Sequence, residues 1–265
     1  MKKVLIGVLM LLEFVACRER REPVFVQISD PQLGFMTRSA DHSQEVEIMK
    51  GIIGKVNGLE PDFVVFSGDL VHWRSDTAAL VAFDSLMERF AAGIPLYFIP
   101  GNHDVGNEAS AEDVEAFVER YGSDRFVHKA RKCTVIGYNS CVVKAMTQDE
   151  HGEYEWLEQQ LAQAGKTRQL VVVAHHPIYL NSPDEAETYE NFPVHLRAKY
   201  LNLFEKYGVD LYLAGHLHKC ARTEYKGIQL VTCGAAGRQL GKDKHGYNVI
   251  RLNDGRLHVE YTDAF

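Results

Sequence analysis

The sequence predicts an α/β protein whose two mixed sheets pack face to face with helices outside them. Three observations lead there. Apolar runs of strand length alternate with helical stripes from residue 24 to residue 218. Past His218 the alternation stops, and short strands follow one another through hairpin-type turns at Lys226-Gly227 and Asp254-Gly255. The chain has 265 residues, 46% of them hydrophobic, enough for one large core. No repeat, low-complexity tract or domain-splitting linker interrupts residues 24–265, which read as a single domain.

The amino terminus reads as a processing segment. Met1-Lys2-Lys3 is a basic start, residues 4–12 are apolar, and Phe14-Val15-Ala16 stops at Cys17. The segment resembles a bacterial lipoprotein signal, which implies cleavage after residue 16, lipid on Cys17 and a membrane-anchored, exported protein. Residues 17–23 then form a solvated tether. Glu13 and Phe14 depart from the pattern and leave ordinary secretion or an uncleaved anchor open. The apolar run is short of the ~20 residues that a spanning helix needs. Removing Lys2, Lys3 and Glu13 from 29 basic and 36 acidic residues leaves 27 and 35, a charge near −8. That balance argues against a nucleic-acid or anionic-membrane surface. Cys133, Cys141, Cys220 and Cys233 match no metal knuckle or redox spacing and read mostly as small buried hydrophobes, with their pairing left open.

The elements follow in order. Residues 24–29 and 63–66 are strand-like, and between them Ile48, Ile52, Ile53 and Val56 fall at helical spacing until Gly58 and Pro61. Residues 77–92 form a helix with Leu80, Phe83, Leu86, Met87 and Phe90 on one stripe. A strand ends at Ile99, a short helix covers 111–121, and 125–139 holds one or two strands. Helices at 153–164 and 196–207 alternate with strands at 170–174 and 209–213. The tail strands are 221–225, 228–232, 247–252 and 257–261.

Five of these strands end in residues that bind divalent metals. The ends are Asp30, Gly68-Asp69, Gly101-Asn102-His103-Asp104, His175-His176-Pro177 and Gly215-His216-Leu217-His218. One strand-end aspartate is more often a helix cap or a solvated loop residue. Five such ends, most of them pairing a tight turn with a ligand, are hard to obtain by chance. Open α/β sheets place ligands at these carboxyl ends.

With these blocks the chain resembles the calcineurin-like metallophosphoesterases over nearly its whole length after the first twenty or so residues. Ser29-Asp30-Pro31-Gln32, residues 101–107, and Gly237-Arg238-Gln239-Leu240-Gly241 with His245-Gly246 are similar to the branch that contains animal serine/threonine phosphatases. The resemblance implies a four-layer α/β/β/α sandwich and two divalent ions, drawn from manganese, iron, zinc and magnesium. It implies Asp69 as the bridge, Asp30 and His218 on the first ion, and Asn102, His175 and His216 on the second; the adjacent His176 is the alternative to His175, which is favoured because it comes directly off the strand and matches the family position. It places His103 near the leaving oxygen. Asp104 has two readings: it orients that ring by accepting from its other nitrogen, or it is a helix-cap or turn residue. Gln32 stands where the family has histidine, and two readings are open: its carbonyl oxygen ligates the first ion, or water takes that place.

Arg238 and His245 lie in a glycine-rich stretch expected on the metal face, where an arginine fork suits phosphate oxygens. Asn139 and Tyr179 are further candidates, and His72 beside Trp73 reads as a packed surface residue. The expected activity is hydrolysis of phosphate esters by a metal-bridging hydroxide, on monoesters of small molecules or phosphoproteins, with diesters as the alternative. A lipid-anchored binding protein without turnover is the competing class, and Gln32 is its only support.

Overall fold

The computed structural model describes residues 23–38, 41–130, 132–165 and 169–265. The expected signal peptide, the Cys17 lipid site and residues 17–22 of the tether lie outside them. Among the described residues no helix is long and apolar enough to cross a membrane.

One sheet is built mainly from the first hundred residues. β1 (Val24–Ile28), β2 (Phe63–Ser67) and β3 (Leu96–Ile99) run parallel, joined by α1 (Ser43–Leu59) and α2 (Thr77–Met87). The short helix α3 (Asn102–Val105) and then α4 (Ala111–Tyr121) lead to β4 (Phe126–Ala130) and β5 (Cys133–Gly137) of a second sheet. That sheet continues through α5 (Ser140–Lys144), α6 (Glu150–Ala164), β6 (Gln169–Val173), α7 (Val194–Tyr207), β7 (Leu211–Ala214), β8 (Ala221–Tyr225) and β9 (Ile228–Thr232). The chain then crosses back, and β10 (Gly246–Asn253) pairs antiparallel with β1 before β11 (Arg256–Asp263) closes the edge. The strand orders are β11-β10-β1-β2-β3 and β4-β5-β6-β7-β9-β8. The tail strands therefore do not stay together: β8 and β9 extend one sheet, β10 and β11 the other.

Strand alternation explains the layers. Phe25, Phe63, Val65, Ile99, Val135, Val171, Val173, Leu211 and Leu213 meet in a core between the sheets. Val26, Val64, Phe66, Ile136, Val172 and Tyr212 point outward and are covered by helices. The result is the expected four-layer α/β/β/α sandwich. Each fully buried apolar side chain here is worth roughly 1.5–3 kcal/mol. Inside the inter-sheet layer Gln27 is a polar tie: its Nε2 donates to Ser67 Oγ and to the Ala214 carbonyl, both at 2.9 Å, and its Oε1 accepts from Asn248 Nδ2. It locks the two sheets together just behind the loops described next.

Helix ends explain the departures from the expected boundaries. Asp76 caps α2 by accepting from Ala79 N, and Ser110 caps α4 by accepting from Asp113 N. The helix expected to reach residue 92 stops at Met87, because Arg89 N and Phe90 N turn back to the carbonyls of Leu86 and Met87. α5 has no apolar stripe long enough to reveal it; Asn139 caps it by accepting from Cys141 N at 3.0 Å.

Candidate metal centre

The carboxyl ends of parallel strands from both sheets meet at one place. Beyond β1 and β2 the chains keep pairing as loops: Asp30 N donates to Gly68 O, Gln32 N to Asp69 O and Leu33 N to Leu70 O. Gly215 N donates to His175 O, and Ala236 N and Gly237 N donate to the carbonyls of Ser29 and Asp30. The backbone is left-handed at Asp30 (φ 51°), Gln32 (41°), Asp69 (55°), His216 (71°) and His218 (50°). Such residues cost roughly 1–3 kcal/mol each, and strain of this kind gathers where function holds it in place. The whole set is buried, Asp30 and His175 at 0% exposure, Asp69 and Gln32 at 1%.

Hydrogen bonds to backbone carbonyls aim the imidazoles. His175 Nδ1 donates to Ser67 O (2.9 Å), His216 Nε2 to Tyr189 O (3.1 Å), and His218 Nδ1 to Arg238 O. A carbonyl only accepts, so each ring's other nitrogen carries its lone pair into the site. There His175 Nε2 lies 3.1 Å from His216 Nδ1, 3.2 Å from Asn102 Oδ1 and 3.4 Å from Asp69 Oδ1. Asn102 spends its Nδ2 on Asn107 Oδ1 and the Tyr189 hydroxyl, so it too offers an oxygen. With His175 neutral these are four acceptors facing one another, an arrangement that needs positive charge among them, either a proton on His175 Nε2 or a metal ion. The 3.1–3.4 Å spacings match the edges of a coordination shell with bonds of about 2.0–2.2 Å.

The second group is Asp30, Asp69 and His218, whose ligand atoms lie within 4.8 Å of one another. His218 Nε2 is 3.5 Å from Asp30 Oδ1. Gln32 places its Nε2 3.4 Å from Asp69 Oδ2, while its buried Oε1 has no hydrogen-bond partner. An orphaned amide oxygen beside two buried carboxylates fits a metal-facing role after a half-turn of the amide. His175, His176 and His216 also satisfy a metal-binding spacing. His176, however, has its Nδ1 3.1 Å from Ser140 Oγ, and His175 is the ring aimed at Asp69 and Asn102.

The electrostatics follow from burial without a compensating cation. Burial raises the pKa of Asp30, only partly offset by His218 and His175. Burial acts on Asp69 too, but His175, His103 and His216 outweigh it and bring its pKa down. His216 is pushed down to about 3 by burial and then by His175, and His72 to about 4 by burial and then by His103. Burial and His216 carry His176 well below the usual imidazole range. His175 moves the other way: burial opposes its charge, but Asp69 and then Asp30 outweigh burial and raise its pKa, so positive charge is favoured at the centre of the cluster.

Other expected residues are placed as follows. His103 donates its backbone N–H to Asp69 Oδ1 and its Nδ1–H to His72 O (2.7 Å). The expectation that Asp104 orients this ring is corrected: its oxygens accept from Leu70 N (2.9 Å) and Gly101 N (2.8 Å). Asp104 braces the loops after β2 and β3, and burial, reinforced by Asp69, raises its carboxyl to about 7. The His103 ring is held by the carbonyl of His72, which is itself buried and not a surface residue. Arg238 holds His218 through its backbone carbonyl and lays its guanidinium 5.0 Å from the Phe35 ring. His245 turns Nδ1 to Gly237 O. Asn139 caps α5 and reaches Asp124, and Tyr179 donates to Glu224 O, so neither is directed at the cluster.

Two residues escaped the sequence reading. Tyr189 receives Asn102 Nδ2 at 2.7 Å and supplies the carbonyl under His216. Ser140 Oγ accepts from the backbone N–H of both His175 and His176. Neither lies in a strand-end block, and nothing in their local sequence marks them. Cys141, Cys220 and Cys233 are free thiols.

Residues 23–220 match the family model described as calcineurin-like phosphoesterase. The chain belongs to this family. A relative of this calcineurin-like phosphoesterase, "Serine/threonine-protein phosphatase CPPED1" from Rattus norvegicus, is 32% identical over 264 residues, covering 89% of this chain and 82% of the relative. A relative from Ruthia magnifica subsp. Calyptogena magnifica, named "Probable cyclic nucleotide phosphodiesterase", is 27% identical, covering 89% of this chain and 96% of the relative. Among solved structures, a dimetal phosphatase from Danio rerio shares the fold with a TM-score of 0.70 at 12% identity, over 92% of this chain and 97% of that one.

Proposed function

We propose that this calcineurin-like phosphoesterase hydrolyses phosphate monoesters with two divalent ions. Asp30, Asp69, His218 and the oxygen of Gln32 would hold the first ion. Asp69, Asn102, His175 and His216 would hold the second. The observation that carries this reading is the convergence of Asn102 Oδ1, His216 Nδ1 and Asp69 Oδ1 within 3.4 Å of His175 Nε2. When bound, such a pair of ions would neutralise phosphoryl oxygens and lower the pKa of water so that hydroxide is available to attack phosphorus.

The chain's own residues supply the rest. Because His72 O holds the Nδ1–H of His103, Nε2 is the nitrogen free for proton transfer: as imidazolium the ring would give its Nε2 proton to the departing alkoxide and be left as the Nδ1–H tautomer. The peptide N–H of His103 on Asp69 ties that ring's position to the bridging carboxylate. Burial drives the Cys141 and Cys233 thiols well above their usual pKa, which supports direct hydrolysis without a covalent phosphoenzyme. The greater identity to a serine/threonine phosphatase than to the phosphodiesterase-named relative supports monoesters over diesters.

The test is purified protein stripped of metal, then assayed on an aryl phosphate monoester and diester with manganese, zinc, iron or magnesium restored. Metal-dependent monoester turnover that collapses in Asp69→Asn is expected. Preference for the diester would overturn the substrate class. Stoichiometric metal uptake with no turnover of either ester would favour a binding protein. Export and lipid attachment at Cys17 are a separate proposal, supported by residues 1–17 alone. The mass of membrane-extracted protein tests it, and an unlipidated full-length chain would reject it.

A further inference from the structure

Beside His103 the surface is aromatic. The rings of Phe35, His72 and His103 stack in series, with centroids 4.9 and 5.0 Å apart and planes 22° and 26° from parallel. Trp73 flanks this column, 4.6 Å from His72 and 6.3 Å from His103, yet remains 52% exposed. The exposed aromatic side chains among the described residues are Trp73, Tyr189 and Phe265, and the first two border the cluster. Tyr189, 57% exposed, has its ring 4.8 Å from His216. A scattered exposed aromatic needs no explanation, but two that adjoin rings of one polar site mark a surface suited to being covered.

We infer that Trp73 is a platform for the leaving group, so that this site selects phosphate esters whose alcohol carries a flat π-face, a nucleoside or a phenol. The inference rests on the hydrolase reading above and adds a substrate class to it. An indole face offers nothing to a phosphoryl group, whose charge belongs with the ligand cluster. Trp73 adjoins the ring assigned to the leaving oxygen, so what covers it is the alcohol half of the ester. A short aliphatic alcohol would leave the indole in water, whereas a planar ring stacks on it. The neighbouring guanidinium does not compete for that face: Arg74 pairs with Asp113 at 2.6 Å.

The chain has two tryptophans, so in a Trp156→Phe background Trp73 is the sole indole reporter. Adenosine 5′-monophosphate, phenyl phosphate and glycerol 2-phosphate are titrated against its fluorescence in the metal-loaded protein, and kcat/KM is measured for the same esters. Quenching by one or both planar esters, but not by glycerol 2-phosphate, is expected, and which of them quenches separates nucleoside from phenol. Trp73→Ala should lower the planar-to-aliphatic ratio of kcat/KM about tenfold, mainly through KM, and Trp73→Phe should restore most of it. No quenching by either planar ester, or an equal effect of Trp73→Ala on all three substrates, would overturn the inference. Failure to turn over any ester would instead refute the hydrolase reading, while the quenching still decides the role of Trp73.

Discussion

Gly101→Ala is the substitution from which the geometry of the cluster predicts most. A Cβ on Gly101 would stand 2.1 Å from Asp69 Oδ1 and 2.3 Å from Asp69 N, against a limit near 3.0 Å. The carboxylate or its loop must therefore retreat by roughly 1 Å, while His103 N and Gln32 N both hold Asp69 where it is. A misplacement of about 1 Å at a reacting centre lowers rate by on the order of 100-fold, close to 2.7 kcal/mol. Overpacking should also lower folding stability by about 1–3 kcal/mol. Gly54→Ala is the control: nothing lies within 4 Å of its Cβ in α1. That variant should gain about 0.5–1 kcal/mol from helix propensity and leave metal uptake unchanged. Calorimetric metal titration and thermal unfolding with and without manganese read both effects. Wild-type metal affinity and turnover in Gly101→Ala would refute the placement of Asp69 as the shared ligand.

Three further outcomes follow from the same geometry. Gln32→Ala should weaken the first ion by about tenfold or more, and Gln32→His should shift preference toward zinc; metal competition that ignores both variants would remove Gln32 from the ligand set. Tyr189→Phe deletes the 2.7 Å bond that orients Asn102, a loss of about 0.5–1.5 kcal/mol, so second-ion affinity should fall several-fold while the first ion is untouched. Glu185 is held at about 2 although burial opposes it, because the N–H groups of Leu180, Asn181 and Ser182 and the Asn191 amide all donate to it. A carboxyl depressed on folding stabilises above its unfolded value of 4.5, and that stabilisation is lost as pH falls toward 2. Hydrogen exchange in the 180–191 loop should therefore rise across that window in the wild type, and a Glu185→Gln variant should show no such step.

The convergence of the candidate ligands was legible because each lies just after an apolar strand, and parallel strands deliver their carboxyl ends to one edge. Asp30, Asp69, Asn102, His175, His216 and His218 needed only that rule and the family pattern. What holds them was not legible. Tyr189 is 87 positions from the Asn102 it orients, in a loop with no periodicity. Asp104 looked like a partner for its neighbour His103, yet the chain turns so that its oxygens meet the backbone of Leu70 and Gly101. The return of β10 and β11 to the first sheet was hidden for a similar reason: alternation reveals which face of a strand is buried, not which sheet receives it.

Metal content per chain, measured by mass spectrometry on protein saturated with manganese and freed of excess, tests the central claim most directly. Two equivalents in the wild type and at most one in Asp69→Asn are predicted, since one carboxylate serves both positions. A wild-type chain that retains no metal, or an Asp69→Asn chain that keeps both equivalents, would contradict a centre built around that bridge.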